Sequence, residues 1–138
     1  MELFVIKDNG MTQRVVELAQ EAGFSPEEIS VAQDEQSAMK LMKRKKPDIV
    51  VVDPHLTRNE LNEDGVRVIA VLRQEFRDCV IICLTTRGST KLGIRARMQG
   101  ANDYIDLERS YVNGWEDLRE RLKIERGILE LRQSSQSH

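Results

Sequence analysis

The 138-residue chain is poor in the features that mark specialised classes of protein. It has two cysteines, Cys79 and Cys83, both in or beside one apolar run. Two are too few for a disulfide framework, and they read as buried thiols in a reducing compartment. No apolar run approaches the ~20 residues of a membrane span, and the N-terminus lacks a signal-peptide pattern. The expectation is a cytoplasmic protein with no membrane partner. Neither sign of charge dominates: 21 Lys and Arg stand against 23 Asp and Glu, a net −2. Nothing global therefore directs this chain to nucleic acid or to an anionic membrane. The basic run KRKK, Lys43 to Lys46, reads as the solvated last turn of a helix, where cations suit the dipole. The two histidines, His55 and His138, make no metal or nucleophile constellation with the cysteines. There is no internal repeat and no linker between domains.

What is present is an alternation. Hydrophobic residues are 40% and charged residues 32%, an ordinary soluble balance in a chain of single-domain length. Five short apolar runs recur: LFVI (3–6), ISVA (29–32), DIVVVD (48–53), CVIICLT (79–85) and DYI (103–105). The third and fourth are continuous, as expected of strands covered on both faces. Between the runs lie segments with helical spacing. Thr12 is placed to cap the first and Asp34 the second, which stops before Pro47. Asp64 starts the third, with Val68, Ile69, Leu72 and Phe76 inward. The fourth runs from Ser89 to Gln99 and stops at Gly100, and the fifth begins near Asn113. Strand and helix alternating five times predict a parallel sheet with helices on both faces, a doubly wound α/β fold. The domain is expected over residues 1–131. The polar stretch 132–138, ending QSSQSH, is expected to be disordered.

In such a sheet, ligands sit beyond the carboxyl ends of the strands. Lys7, Asp8, Asp53 and Thr85 fall there. Asp8 and Asp53 would end adjacent central strands. Two carboxylates and a loop carbonyl, that of His55, can hold Mg²⁺ with waters filling the remaining positions. A carboxylate beside such an ion can accept a phosphoryl group, and the Thr85 hydroxyl can donate to a phosphoryl oxygen. The plainer alternative is that Asp53 and Thr85 are ordinary strand-end residues.

The segments VVVDPHL, VIICLTT and MQGANDYI, in this order and spacing, give the chain its resemblance to the receiver domain of bacterial two-component response regulators. The resemblance covers about Glu2 to Ile128. It implies a flavodoxin-like (βα)5 receiver in which Asp53 matches the aspartate phosphorylated by a histidine kinase or phosphotransfer protein. Thr85 and Tyr104 match the pair of switch residues, and Asp8 matches a direct Mg²⁺ ligand. It further implies a downstream protein target, and a homodimer through the face of fourth helix, fifth strand and fifth helix.

Four departures from the family pattern alter this site. Lys7 replaces the first acid of the acidic pair. Leu107 and Glu108 stand where the family carries a lysine and, usually, a proline. Thr57 replaces the proline after the acceptor, and the loop to Asp64 and Gly65 is longer. The pocket's formal charge falls from −2 to −1, so Mg²⁺ binds weakly in competition with Lys7. Either the Lys7 ammonium lies near Asp53, standing in for metal or for the missing lysine, or it bends into solvent.

The last helix carries two stripes. Trp115, Leu118, Leu122 and Leu129 share one face, while Ile124, Ile128 and Leu131 fall roughly opposite. One stripe packs on the sheet; the other is left for a partner, for a local fold-back or for a further domain. The reading that results is a non-enzymatic, atypical receiver relaying a signal by protein–protein contact, with weak or absent phosphorylation at Asp53. The first alternative is a conventional Mg²⁺-dependent phospho-acceptor. The second, a small-ligand or enzyme module on a flavodoxin-like fold, lacks a glycine-rich phosphate loop, since KDNGMT offers one glycine. A cobalamin-type D-x-H-x-x-G motif fails because Arg58 stands at the glycine.

Overall fold

The computed structural model describes residues 1–8, 10–57, 63–107 and 113–136. Arg58, Glu108 and His138 lie outside them. The five apolar runs form five strands: β1 (Leu3–Ile6), β2 (Ile29–Ala32), β3 (Ile49–Val52), β4 (Val80–Thr85) and β5 (Asp103–Asp106). All neighbours pair in parallel, in the order β2-β1-β3-β4-β5. The helices are α1 (Thr12–Glu21), α2 (Glu35–Arg44), α3 (Asp64–Glu75), α4 (Thr90–Gln99) and α5 (Gly114–Gln136), and a short 3-10 turn, Pro26–Glu28, precedes β2. The expected doubly wound, five-stranded parallel sheet is what forms.

Strand periodicity of two divides the core. Phe4, Ile6, Val50, Val52, Ile81 and Cys83 face Ala38 and Leu41 of α2, Val68, Ile69 and Leu72 of α3, and Ala96 of α4. The alternate residues Leu3, Val5, Ile49, Val51, Ile82 and Leu84 face Val15, Leu18 and Ala19 of α1 and Leu118 and Leu122 of α5. Both faces of the central strands are therefore dry, which explains their unbroken apolar runs. Phe76, expected inward, packs on the first layer only partly buried.

Helix ends follow local chemistry. The Asp34 carboxylate accepts the Ser37 N–H at 2.7 Å, and the Ser37 hydroxyl accepts the Asp34 N–H at 3.2 Å. Ser89 caps α4 through the Leu92 N–H, and Gly100 ends it at φ +123°, a conformation that favours glycine. Thr12 is not the cap of α1: Met11 precedes the helix, and the Thr12 hydroxyl donates to the Asp8 carbonyl at 2.7 Å.

Of the stretch 132–138, expected to be disordered, residues 132–136 continue α5, which runs through Gln136, and 137–138 lie outside the described residues. A helix already nucleated extends at little cost per residue, and 132–136 contain neither glycine nor proline. Two cation–π contacts join α5 to α1 and to the segment that follows α1. Arg14 of α1 lies over the Trp115 ring, 5.3 Å from its centre, and Arg126 over Phe24 at 4.9 Å. Among the described residues, no helix is long and apolar enough to cross a membrane.

Candidate functional site

Adjacent strands bring the distant residues together. β1 pairs with β3 so that Ile6 lies beside Val52. The Asp53 N–H continues that ladder to the Ile6 carbonyl at 2.9 Å, while the Lys7 N–H bonds the Ala32 carbonyl at 2.9 Å. Lys7 and Asp53 therefore leave the same rim of the sheet side by side, 46 residues apart in sequence. The Lys7 ammonium turns inward and donates to Asp53 Oδ2 at 2.7 Å. Side-chain exposure is 4% for Lys7 and 11% for Asp53. Of the two directions open to Lys7, the solvent-directed one is not taken. At this separation the gross attraction is about 6 kcal/mol at an effective dielectric of about 20, much of it offset by desolvation.

The second oxygen of Asp53 is also engaged, because Oδ1 accepts the His55 N–H at 2.8 Å. This closes an Asx-type turn directly after β3. Asp64, nearly fully buried, holds the same loop from the other side: its Oδ1 accepts the Leu56 N–H at 2.7 Å. Gly65 then lies so close that a Cβ would overlap the Asp53 carbonyl oxygen. Asp64 and Gly65 were legible only as the DG pair that opens α3; that they support the Asp53 loop emerges from the fold.

A cleft of about 750 Å³ opens over this rim, lined by Lys7, Asp8, Asp53, His55, Thr85 and Arg87 among others. Thr85 is buried at the end of β4, and its hydroxyl accepts the Arg87 N–H at 3.1 Å. Arg87, which no sequence pattern singled out, enters the lining through the turn after β4. Tyr104 does not line this cleft. It pairs with Cys83 in the sheet and lines a second cleft of about 650 Å³ between α4 and β5. There its phenol oxygen accepts the Ser89 N–H at 3.1 Å. Gly88 leaves room for that ring, since a Cβ would overlap the phenol oxygen. Ile124, Ile128 and Leu131 stand apart from both clefts, exposed along α5, whereas Leu118 and Leu122 are buried. The Cys83 thiol is pushed far up by burial and further by the charge of Asp53, with Lys7 opposing.

Mg²⁺ demands octahedral oxygen ligands at about 2.0–2.1 Å. Both Asp53 oxygens already accept N–H groups, one from an ammonium. Among the described residues, no group of three or more His, Cys, Asp or Glu is placed to hold a metal ion. As arranged, these donors fit a resident cation and not a divalent ion.

Residues 3–108 match the family model described as the response regulator receiver domain. No curated protein matches the chain in sequence. Among solved structures, a response regulator from Thermotoga maritima is 27% identical with a TM-score of 0.68, covering 91% of this chain and 97% of its own. The receiver domain of NtrX from Brucella abortus is 18% identical with a TM-score of 0.70, covering 88% and 98%. A response regulator protein from Burkholderia pseudomallei, solved with a phosphorylated aspartic acid, calcium ion and citrate, is 20% identical with a TM-score of 0.70, covering 100% and 76%. Receiver domains are signalling modules that work with histidine kinases or phosphotransfer proteins and with downstream targets, and they generally hold a divalent ion at the phosphorylation site. With its parallel sheet, its acidic rim and a family match over most of its length, this chain belongs to the receiver domains of two-component response regulators.

Proposed function

We propose that this receiver is atypical and relays a signal by protein–protein contact, with Asp53 phosphorylated weakly or not at all. The observation that carries the reading is the buried Lys7–Asp53 ion pair. A phospho-acceptor must present a carboxylate oxygen to phosphorus in line with the leaving group. Here an ammonium occupies Oδ2 and a backbone N–H occupies Oδ1. Leu107, in the position of the family's lysine, offers no charge to a phosphoryl oxygen. Any Mg²⁺ held by Asp8, Asp53 and the His55 carbonyl must first displace Lys7, so its binding is weak. Thr85 and Tyr104 retain the chemistry of switch residues, but each is already hydrogen-bonded.

Contact with partners falls to two surfaces. One is the α4–β5–α5 face, where Ile94 and Met98 are exposed, and it suits a second copy of the chain. The other is the stripe of Ile124, Ile128 and Leu131. The action is that of a binding module in the cytoplasm and not of an enzyme.

A conventional, Mg²⁺-dependent phospho-acceptor is the second reading. It is favoured by Asp8, Asp53 and Thr85 sharing one cleft and by the phosphorylated aspartic acid of the Burkholderia relative. Incubation with a small phosphodonor and Mg²⁺, followed by intact mass, separates the two. The atypical reading expects at most a minor phosphorylated fraction. A stable, near-complete gain of one phosphoryl group, abolished in Asp53→Asn, would establish the conventional one.

A further inference from the structure

We propose that Lys7 alone keeps divalent ions out of the cleft, and that the rest of a divalent-cation site survives around it. The inference rests on the reading of the Lys7–Asp53 pair given above, and it assigns the exclusion to one side chain. Lys7 follows β1 directly, and its backbone is held by the Ala32 carbonyl. Its side chain is 4% exposed, so the ammonium is enclosed in the cleft, where it donates to Asp53 Oδ2 at 2.7 Å.

Among the described residues, the charged side chains lining the cleft are Lys7, Asp8, Asp34, Asp53 and Arg87. Their formal sum is −1, two positive against three negative. With an aspartate at position 7 the same set sums to −3, one positive against four negative. Hard divalent ions are drawn by carboxylate number and by oxygen ligands that need little rearrangement. The loop that would supply the His55 carbonyl is already braced, by the His55 N–H on Asp53 and by Asp64 on the Leu56 N–H. A shorter side chain at position 7 also vacates the space of the lysine stem and head. The exclusion is assigned to the occupant because Asp8 and Asp53 line the same cleft and the His55 loop is already braced. In the native chain the cleft's state does not follow the divalent-ion concentration around it.

The test is a titration of the full chain with Mg²⁺, read from the amide NMR shifts of residues 8, 53 and 55–57. The native protein is compared with Lys7→Asp and Lys7→Met. The native protein is expected to show no saturation up to about 10 mM, while Lys7→Asp saturates at a concentration about tenfold lower or less. Lys7→Met, which removes the occupant without adding a ligand, should fall between them. The proposal is overturned if the native protein saturates at the same concentration as Lys7→Asp, or if a folded Lys7→Asp does not bind. Should Lys7→Asp not fold, Lys7→Met decides: binding no tighter than native overturns the proposal, and tighter binding upholds it. Failure of the proposed function is a different result. Near-complete phosphorylation of the native chain without added divalent ion would refute the weak acceptor and leave Lys7 as the excluding group.

Discussion

At Lys7 the chain keeps an ammonium almost out of water, and the cost of removing it depends on what stays behind. Deleting one partner of a buried ion pair strands the other, at about 3–5 kcal/mol. Asp53 retains some contact with the cleft, 11% of its side chain, so Lys7→Met should destabilise by about 3 kcal/mol in urea denaturation. Replacing both residues, as Lys7→Met with Asp53→Leu, should cost clearly less than the two single changes added together. Additive costs would mean that the pair is not coupled. The geometry behind this prediction was half legible. That Lys7 and Asp53 end neighbouring strands follows from the apolar runs. That the ammonium turns inward does not, because a lysine at a strand end can face either way. Asp64 was harder still. Its carboxylate acts on the Leu56 N–H eight residues earlier, a contact set by loop geometry with no period to announce it.

Two elements owe their placement to a few side chains. Arg73 of α3 donates to the carbonyls of Phe76, Arg77, Cys79 and Gly100 and to the Asn102 side chain. One planar guanidinium thus joins the end of α3 to the turns on either side of β4 and α4. Arg73→Ala should lower stability by about 2–3 kcal/mol, and Arg73→Lys should recover little of it, since an ammonium cannot span that fork. Thermal unfolding of the two variants checks this. For α5, the division into stripes makes a contrast. Leu122 is fully buried and Ile124 is 57% exposed. Leu122→Ala should cost about 2–4 kcal/mol and Ile124→Ala less than about 0.5 kcal/mol. Both stripes were visible as sequence spacing, because helical period alone separates them. The end of the helix was not, since composition at 132–136 resembles a tail while nothing in it stops a helix.

Across the whole molecule, stability should fall off at both ends of the pH range. The Ser25 N–H foremost, and the Arg126 guanidinium after it, hold the Glu28 carboxyl below its ordinary 4.5 against its burial. Hydrogen bonding by Arg95 likewise lowers Glu63. A carboxyl lowered in the folded state adds stability that is present above about pH 4.5 and disappears as pH falls through the folded value. On the alkaline side the Cys83 thiol is raised above its ordinary 9.0, by burial first and by Asp53 second. Stability from a raised thiol is complete below pH 9 and declines above it, because the unfolded chain ionises first. Urea midpoints measured from pH 3 to 10.5 should bend at both limits, and Cys83→Ala should flatten the alkaline bend. At this scale the sequence was most informative. Parallel order, two covered faces and the rim where the acids gather all followed from five apolar runs, because burial on both faces leaves little choice of residue. Boundaries slipped where one side chain decides, as at Thr12.

The position of Trp115, the chain's single tryptophan, has an optical consequence. Its indole sits under the Arg14 guanidinium at the seam of α1 and α5 and lines neither of the two clefts described above. Emission from this ring therefore reports whether that seam is closed. A spectroscopist following the intrinsic signal will see the last helix lift from the first, and will see little of events at the acidic rim.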